Sequence, residues 1–333
     1  MAKTLVIGDL HFNNKPLGLL PIQKKCIVDL FKKESVDEVV LLGDLMMHRK
    51  PTPSVLLAIK EVLEVFVDAG CKVFILRGNH DSETKADDGV TALSVFDKLA
   101  TIITHTYVDK KRKSIYIPHY EDEAKIKEVL RTAPDNYRIY GHFGYNGCLN
   151  SAGDADFSLP LRIFNNSTIL GHIHKFNRKA LSGNNLDKSV TTLGTPYTTN
   201  FGESGKQNYY LLIEDGEFTY KEILHGPRHL VINQEEIKDN LEFINDTSYE
   251  TYLRVLCNPG ENPNEIPYTN LDVVSVDVKY LPSFDEDNIS DYSPKRDLFS
   301  VNEVIINDYV EMVPTTLPKE RILRGYDLIK DGD

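Results

Sequence analysis

Tryptophan is absent from this chain of 333 residues, and cysteine occurs only four times. Cys26, Cys71, Cys148 and Cys257 are scattered and form no Cys-x-x-Cys pair, which argues against both a zinc knuckle and a disulfide framework. Free thiols suit a reducing cytosol. Long apolar runs are also missing: none approaches the ~18–20 residues of a membrane span, so no membrane partner is expected. After Met-Ala-Lys the chain enters Thr4-Leu5-Val6-Ile7-Gly8-Asp9, a strand and loop rather than a signal peptide, and a cytoplasmic location is expected. Positive charge is in short supply, with 38 Lys and Arg against 50 Asp and Glu and a net charge of −12. That balance excludes a basic nucleic-acid-coating protein. The deficit is uneven. Residues 1–225 hold 28 basic and 28 acidic side chains, so the whole excess of acid lies beyond them, which suggests two regions with different tasks. An acidic chain can still act on phosphates if bound cations supply positive charge locally.

What is present is ordinary globular composition, 41% hydrophobic and 26% charged, long enough for two domains without staples. No internal repeat or low-complexity segment occurs. Leu5–Gly8, Val39–Gly43 and Lys72–Gly78 are continuous apolar runs, the pattern of buried strands. Between them, residues 21–34 and 54–69 carry apolar side chains at helical spacing. Strand, helix, strand, helix, strand predicts βαβ units and a parallel sheet. Ser114–Ile117, Tyr137–Gly141, Ser167–Gly171, Val190–Gly194, Tyr209–Ile213 and Phe218–Ile223 predict further strands with shorter connections. A helix is expected over 90–99. The Gly226-Pro227 pair interrupts the pattern and suggests a boundary. Beyond it, Tyr252–Leu256 and Val273–Val278 read as strands, Asn258–Pro267 and Phe284–Asp291 as loops, and 298–312 and 319–330 as helices.

Five polar clusters each follow a predicted strand: Gly8-Asp9-Leu10-His11, Gly43-Asp44, Gly78-Asn79-His80-Asp81, Gly141-His142 and Gly171-His172-Ile173-His174. Carboxylate, imidazole and amide oxygen are donors suited to Mn²⁺, Fe²⁺ or Zn²⁺. In Asp-x-His and His-x-His the two side chains project alike from an extended segment. Taken singly, a Gly-Asp after a strand is an ordinary turn and a lone Gly-His an ordinary structural histidine. The ensemble carries the weight, because five of the ten histidines fall in these clusters, each at the end of an apolar strand.

The ordered set resembles the calcineurin-like metallophosphoesterase superfamily over roughly residues 1–225. Within it, Gly43-Asp44-Leu45 followed by Arg49-Lys50-Pro51, and Leu193-Gly194-Thr195-Pro196-Tyr197, resemble SbcD, the bacterial relative of the eukaryotic meiotic-recombination-eleven nuclease, and its bacteriophage counterparts. The resemblance implies an α/β fold: a four-layer α-β-β-α sandwich over residues 1–225, a small C-terminal α+β capping domain over 226–297, and C-terminal helices over 298–333 that are either domain core or an element docking an ATPase. It implies one metal held by Asp9, His11 and His174, with Asp44 bridging to a second held by Asn79, His142 and His172. It makes His80 the proton donor to the leaving oxygen, with Asp81 orienting His80 or its loop. It implies two divalent ions, Mn²⁺ first with Mg²⁺, Fe²⁺ or Zn²⁺ as alternatives, and DNA as substrate. The partners it implies are an SbcC-like ABC-type coiled-coil ATPase and a second copy of the chain.

One position departs from the pattern. Many relatives carry histidine or aspartate three residues after the bridging aspartate, and here that residue is Met47, with His48 next. The absence of an aspartate followed by Arg-Gly argues against a phosphoserine phosphatase. His48, Arg49 and Lys50 are candidates for contact with a DNA backbone. Lys110-Lys111-Arg112-Lys113 reads either as a solvated hairpin tip or as a second phosphate contact. His105, His119, His225 and His229 lack partner spacing and read as structural. Tyr145 and Tyr197 could border the site or pack in the core. Two other functions fit parts of the sequence: a phosphodiesterase for small substrates such as cyclic nucleotides, and a scaffold with a degenerate site. The second conflicts with the full set of ligand types.

Overall fold

A computed structural model of the chain describes residues 2–148, 158–182 and 185–281, all within one compact unit. The helices expected after residue 298 and the loop over 284–291 lie outside the described residues. Two six-stranded sheets dominate. In spatial order the first is β12 (Glu217–Glu222), β11 (Tyr209–Glu214), β1 (Thr4–Ile7), β2 (Glu38–Leu41), β3 (Lys72–Leu76) and β4 (Thr101–Ile103). The second is β5 (Tyr107–Asp109), β6 (Ser114–Ile117), β7 (Arg138–His142), β8 (Thr168–Gly171), β10 (Asn185–Thr192) and β9 (Asn177–Ser182). Strands β1 to β4 run parallel, as do β6, β7, β8 and β10, while the outer β11, β12, β5 and β9 are antiparallel to their neighbours.

Strand alternation builds the layers, because successive side chains face opposite sides of a sheet. Leu5, Ile7, Val39, Leu41, Val73 and Ile75 pack on one face against helices α1 (Leu19–Lys33) and α2 (Pro53–Asp68). Val6, Val40, Phe74 and Leu76 point the other way and meet Tyr116, Tyr140 and Ile169 of the second sheet. There Phe74, Tyr116 and Tyr140 stack in series with ring centroids 5.4 and 5.1 Å apart. The outer face of the second sheet buries Ile115, Ile117, Ile139 and Leu170 against Ile126 and Leu130 of α3 (Glu123–Thr132). Helix, sheet, sheet, helix is the expected four-layer order. Strands buried on both faces explain why the sequence shows continuous apolar runs rather than alternation.

A third, three-stranded parallel sheet, β13 (Gly226–Asn233), β14 (Tyr249–Cys257) and β15 (Ser275–Tyr280), has a core of its own around Leu230, Ile237, Leu253 and Val255. It packs beside α1 through β13. Gly226-Pro227, the break in the sequence pattern, opens β13. The helix expected over 90–99 is a correction: only Ala92–Phe96 is helical, as a 3-10 turn capped by Thr91, with Leu93 and Phe96 buried and Val90 and Val95 exposed. Apolar residues three apart satisfy the tighter helix as well as the α form. The basic run forms the turn of the β5–β6 hairpin, where Arg112 is committed to Glu38 and Asp109 at 2.5 and 2.6 Å. Glu38 begins β2, so this hairpin lies at the opposite strand end from the polar clusters, as the hairpin-tip reading expects. All four cysteines are free and buried. Among the described residues no helix is long and apolar enough to cross a membrane.

Candidate metal centre

The polar clusters occupy the C-terminal ends of β1, β2 and β3 in one sheet and β7 and β8 in the other. Ligands in open parallel sheets bind at that end. The backbone takes unusual shapes to reach it. His11, Asp44 and His172 have φ of 45°, 49° and 76°, left-handed values that cost energy in non-glycine residues. Gly78 shows how close the loops come: a Cβ there would lie 2.1 Å from Asp44 Oδ1 and 2.4 Å from Asp44 N.

The structure brings all seven expected ligand residues together. His11 Nε2 lies 3.0 Å from His174 Nε2 and 3.7 Å from Asp44 Oδ2. On the other side of Asp44, His142 Nε2 is 3.4 Å from Oδ2 and 3.1 Å from Asn79 Oδ1, and His172 Nδ1 is 2.9 Å from the same Asn79 oxygen. Asp44, His142 and His172 form a group with ligand atoms mutually within 4.8 Å. Asp44 therefore sits between two sets of nitrogens. Asp9 is fully buried; both its oxygens accept the backbone N–H of His172, at 3.0 and 2.9 Å, and Oδ1 is 3.5 Å from His142 Nδ1.

These donors fit a cation on chemical grounds. His142 Nδ1 donates to the Leu42 carbonyl at 2.7 Å, so the neutral ring turns the bare lone pair of Nε2 toward Asn79 Oδ1 and Asp44 Oδ2, which are both acceptors. Acceptors facing one another at such distances need a proton or a cation between them. In the metal-free chain the proton serves: burial opposes the charged ring, but Asp44 and Asp9 outweigh it and push His142 up to about 9. Burial lowers His11 and His172 to about 3, keeping them in the neutral form that binds metals. Burial also works against the charge on Asp44, yet His142, His11 and His80 together hold its carboxyl well below the usual range. Asp9 is raised, first by burial.

His80 stands beside this cage. Its backbone N–H donates to Asp44 Oδ1 at 2.8 Å, its Nδ1 donates to the Met47 carbonyl at 2.7 Å, and its ring sits edge-on to His11 with centroids 5.0 Å apart. The partner that orients the His80 ring is thus a carbonyl. Asp81 serves the loops: its carboxylate accepts N–H bonds from Leu45, Met46 and Gly78 at 3.0, 3.3 and 2.9 Å. Burial first, then the charge of Asp44, pushes Asp81 up to about 7. His48 and Lys50 are exposed on the loop beyond Asp44, and Arg49 is half-buried with a 3.4 Å bond to the Ser82 carbonyl. Among the described residues none of these three joins the cage. Tyr145 is core, whereas Tyr197 is buried with its hydroxyl on the carbonyl of Leu10, between the first two ligands.

Two features escape the sequence reading. His119, expected to be structural, has its ring 5.7 Å from that of His172 and 6.1 Å from that of His142, and both its nitrogens are buried without a hydrogen bond. Burial lowers it to about 4. Its signal was available, since Pro118-His119 follows β6 as the other clusters follow their strands. Glu203 is the second: its Oε1 lies 2.5 Å from His174 Nδ1. No local pattern in Phe201-Gly202-Glu203-Ser204 marks it.

A family model described as calcineurin-like phosphoesterase matches residues 2–176, and this span includes every expected ligand. The chain belongs to the calcineurin-like phosphoesterase family. Metallophosphoesterases use divalent metals, and the family makes this chain a metal-dependent phosphoester hydrolase. No curated protein matches the sequence. Among solved structures, the crystal structure of the cold-active protein-tyrosine phosphatase of a psychrophilic Shewanella species is 14% identical, with a TM-score of 0.34, covering 67% of this chain and 80% of that one. A second structure of a cold-active protein tyrosine phosphatase is 15% identical, with a TM-score of 0.32, covering 68% of this chain and 79% of that one.

Proposed function

We propose that this phosphoesterase is a Mn²⁺-dependent DNA nuclease of the SbcD type, acting as an exonuclease on duplex ends and an endonuclease on single strands. In this reading it is the nuclease subunit of a homodimeric complex with an SbcC-like ABC-type ATPase, docked through residues 298–333. The observation that carries the reading is the shared cage: Asp44 lies between the His11/His174 pair and the Asn79/His142/His172 set, with His80 alongside but outside both. Asp9, His11, His174 and Asp44 would hold one ion, and Asp44, Asn79, His142 and His172 the other. A bound divalent pair polarises phosphoryl oxygens and acidifies water at neutral pH.

The remaining work belongs to the side chains. Two aspartates against two divalent ions leave the site positive, which draws a phosphodiester to an acidic chain. His80, whose Nδ1 donates to the Met47 carbonyl, would deliver the Nε2 proton of its imidazolium form to the leaving oxygen. Support for a DNA substrate comes from the Arg49-Lys50-Pro51 and Gly194-Thr195-Pro196-Tyr197 segments flanking the cage. The competing reading is a phosphodiesterase for small substrates.

End-labelled linear duplex DNA incubated with Mn²⁺, with and without the ATPase, separates the two. The proposal expects shortening of the duplex, or of the duplex only when the ATPase is present. Cleavage confined to mononucleotides and model diesters under both conditions refutes it. Removing residues 298–333 should abolish co-purification with the ATPase while sparing model-diester hydrolysis.

A further inference from the structure

His174 is held differently from His142 in the cage and from His80 beside it. His142 and His80 are oriented by backbone carbonyls, of Leu42 and Met47, whereas His174 Nδ1 meets a carboxylate, Glu203 Oε1, at 2.5 Å. That carboxylate is itself locked. Oε1 also accepts from Thr199 Oγ1 at 3.0 Å, and Oε2 accepts from Thr199 N and Lys206 Nζ, both at 2.8 Å. Lys206 donates in addition to Thr195 Oγ1 at 2.5 Å. Glu203 is buried, and the Lys206 side chain is 9% exposed. The segment that carries Glu203 is pinned to β13, because His229 N donates to Thr198 Oγ1 at 2.6 Å and Val231 N to Ser204 Oγ at 2.9 Å.

We propose that Glu203 is a positioning residue for the metal site: it fixes the Nδ1–H form of His174 and aims the Nε2 lone pair at the ion shared with His11. The inference rests on the assignment of His174 as a ligand. An imidazole whose Nδ1–H is given to a carboxylate keeps its lone pair on Nε2, and the carboxylate raises the basicity of that nitrogen. Nε2 of His174 then faces Nε2 of His11 at 3.0 Å. Lys206 neutralises the carboxylate, so the orientation is achieved without adding net negative charge to the cage. Glu203 also lies past residue 176, and its anchor β13 lies in the third sheet. The C-terminal region thereby supports a ligand of the phosphoesterase domain.

Glu203→Gln is the discriminating variant. A glutamine offers one acceptor oxygen where the native side chain offers two. Turned one way its NH₂ opposes the His174 donor, and turned the other way it opposes Thr199 N and Lys206. Mn²⁺ binding by calorimetry should weaken 10- to 100-fold for one ion and stay unchanged for the other. Long-range ¹H–¹⁵N correlation on histidine-labelled, metal-free full-length protein reads the tautomer directly. The wild type should show His174 as Nδ1–H, assigned by the signals missing from His174→Asn, and Glu203→Gln should shift it toward Nε2–H. Weaker binding with an unmoved tautomer marks Glu203 as mere scaffolding and overturns the proposal, as does wild-type binding in Glu203→Gln. An Nε2–H tautomer in the wild type overturns it without any Glu203 variant, so a misfolded Glu203→Gln leaves the test intact. If His174→Asn itself binds both ions with native affinity, the ligand assignment fails first, and the two failures are distinguishable.

Discussion

The His80 side chain and the His80 backbone do different things, and a substitution separates them. The backbone N–H supports Asp44, while the ring donates to the Met47 carbonyl and lies edge-on to His11 without standing among the expected ligands. His80→Ala should therefore keep both Mn²⁺ ions and lose about 10²- to 10⁴-fold in turnover of a model diester. Elemental analysis beside steady-state kinetics checks this, and loss of an ion with the imidazole contradicts the proton-donor role. His142 gives a second residue-level expectation. Burial opposes its charge, but Asp44 and Asp9 raise it to about 9, so at neutral pH the metal-free site carries a proton that binding must expel. Apparent Mn²⁺ affinity should then climb as pH rises from 6 to 8, by up to about tenfold per pH unit for one displaced proton. Calorimetry in two buffers of different ionisation heat should report proton release, and a pH-independent affinity contradicts the assignment.

At the level of elements, strand ends and glycines decide whether the ligands meet. A Cβ on Gly8 would fall 1.8 Å from the Gly194 carbonyl oxygen, and one on Gly78 would strike the Asp44 carboxylate and amide. Gly78→Ala should displace Asp44 and weaken Mn²⁺ binding at least tenfold, with about 1–3 kcal/mol lost in stability from overpacking. Calorimetry and thermal unfolding monitored by circular dichroism measure the two effects, and native affinity for both ions would show that the loops are slack. Elements with strong periodicity were legible beforehand. β1, β2 and β3 announced themselves as apolar runs, and α1 and α2 by Ile27, Leu30, Ile59 and Phe66 at helical spacing. Helix α3 was not, since only Ile126 and Leu130 are buried among charged neighbours. Strand β13 was hidden because it opens on Gly226-Pro227. The 92–96 turn was overextended because Leu93 and Phe96 fit either helix type.

Over the whole molecule, the two sheets each deliver part of one cage. Asp9, His11, Asp44 and Asn79 come from loops of the first, and His142, His172 and His174 from the second. Chain order and residue chemistry made these seven legible, because each cluster ends a recognisable strand. Glu203 was not, since its role depends on the ring it meets, that of His174, and no local pattern encodes that. His119 carried a signal, Pro118-His119 after β6, but a lone histidine after a strand reads as structural. In the proposed reading these seven side chains enclose two divalent ions. Anomalous scattering from Mn²⁺-soaked crystals tests it most directly. Two peaks are predicted, one against His11 and His174 and one against Asn79, His142 and His172, with Asp44 touching both. Crystals that hold these side chains apart, with no manganese peak among them, would contradict it.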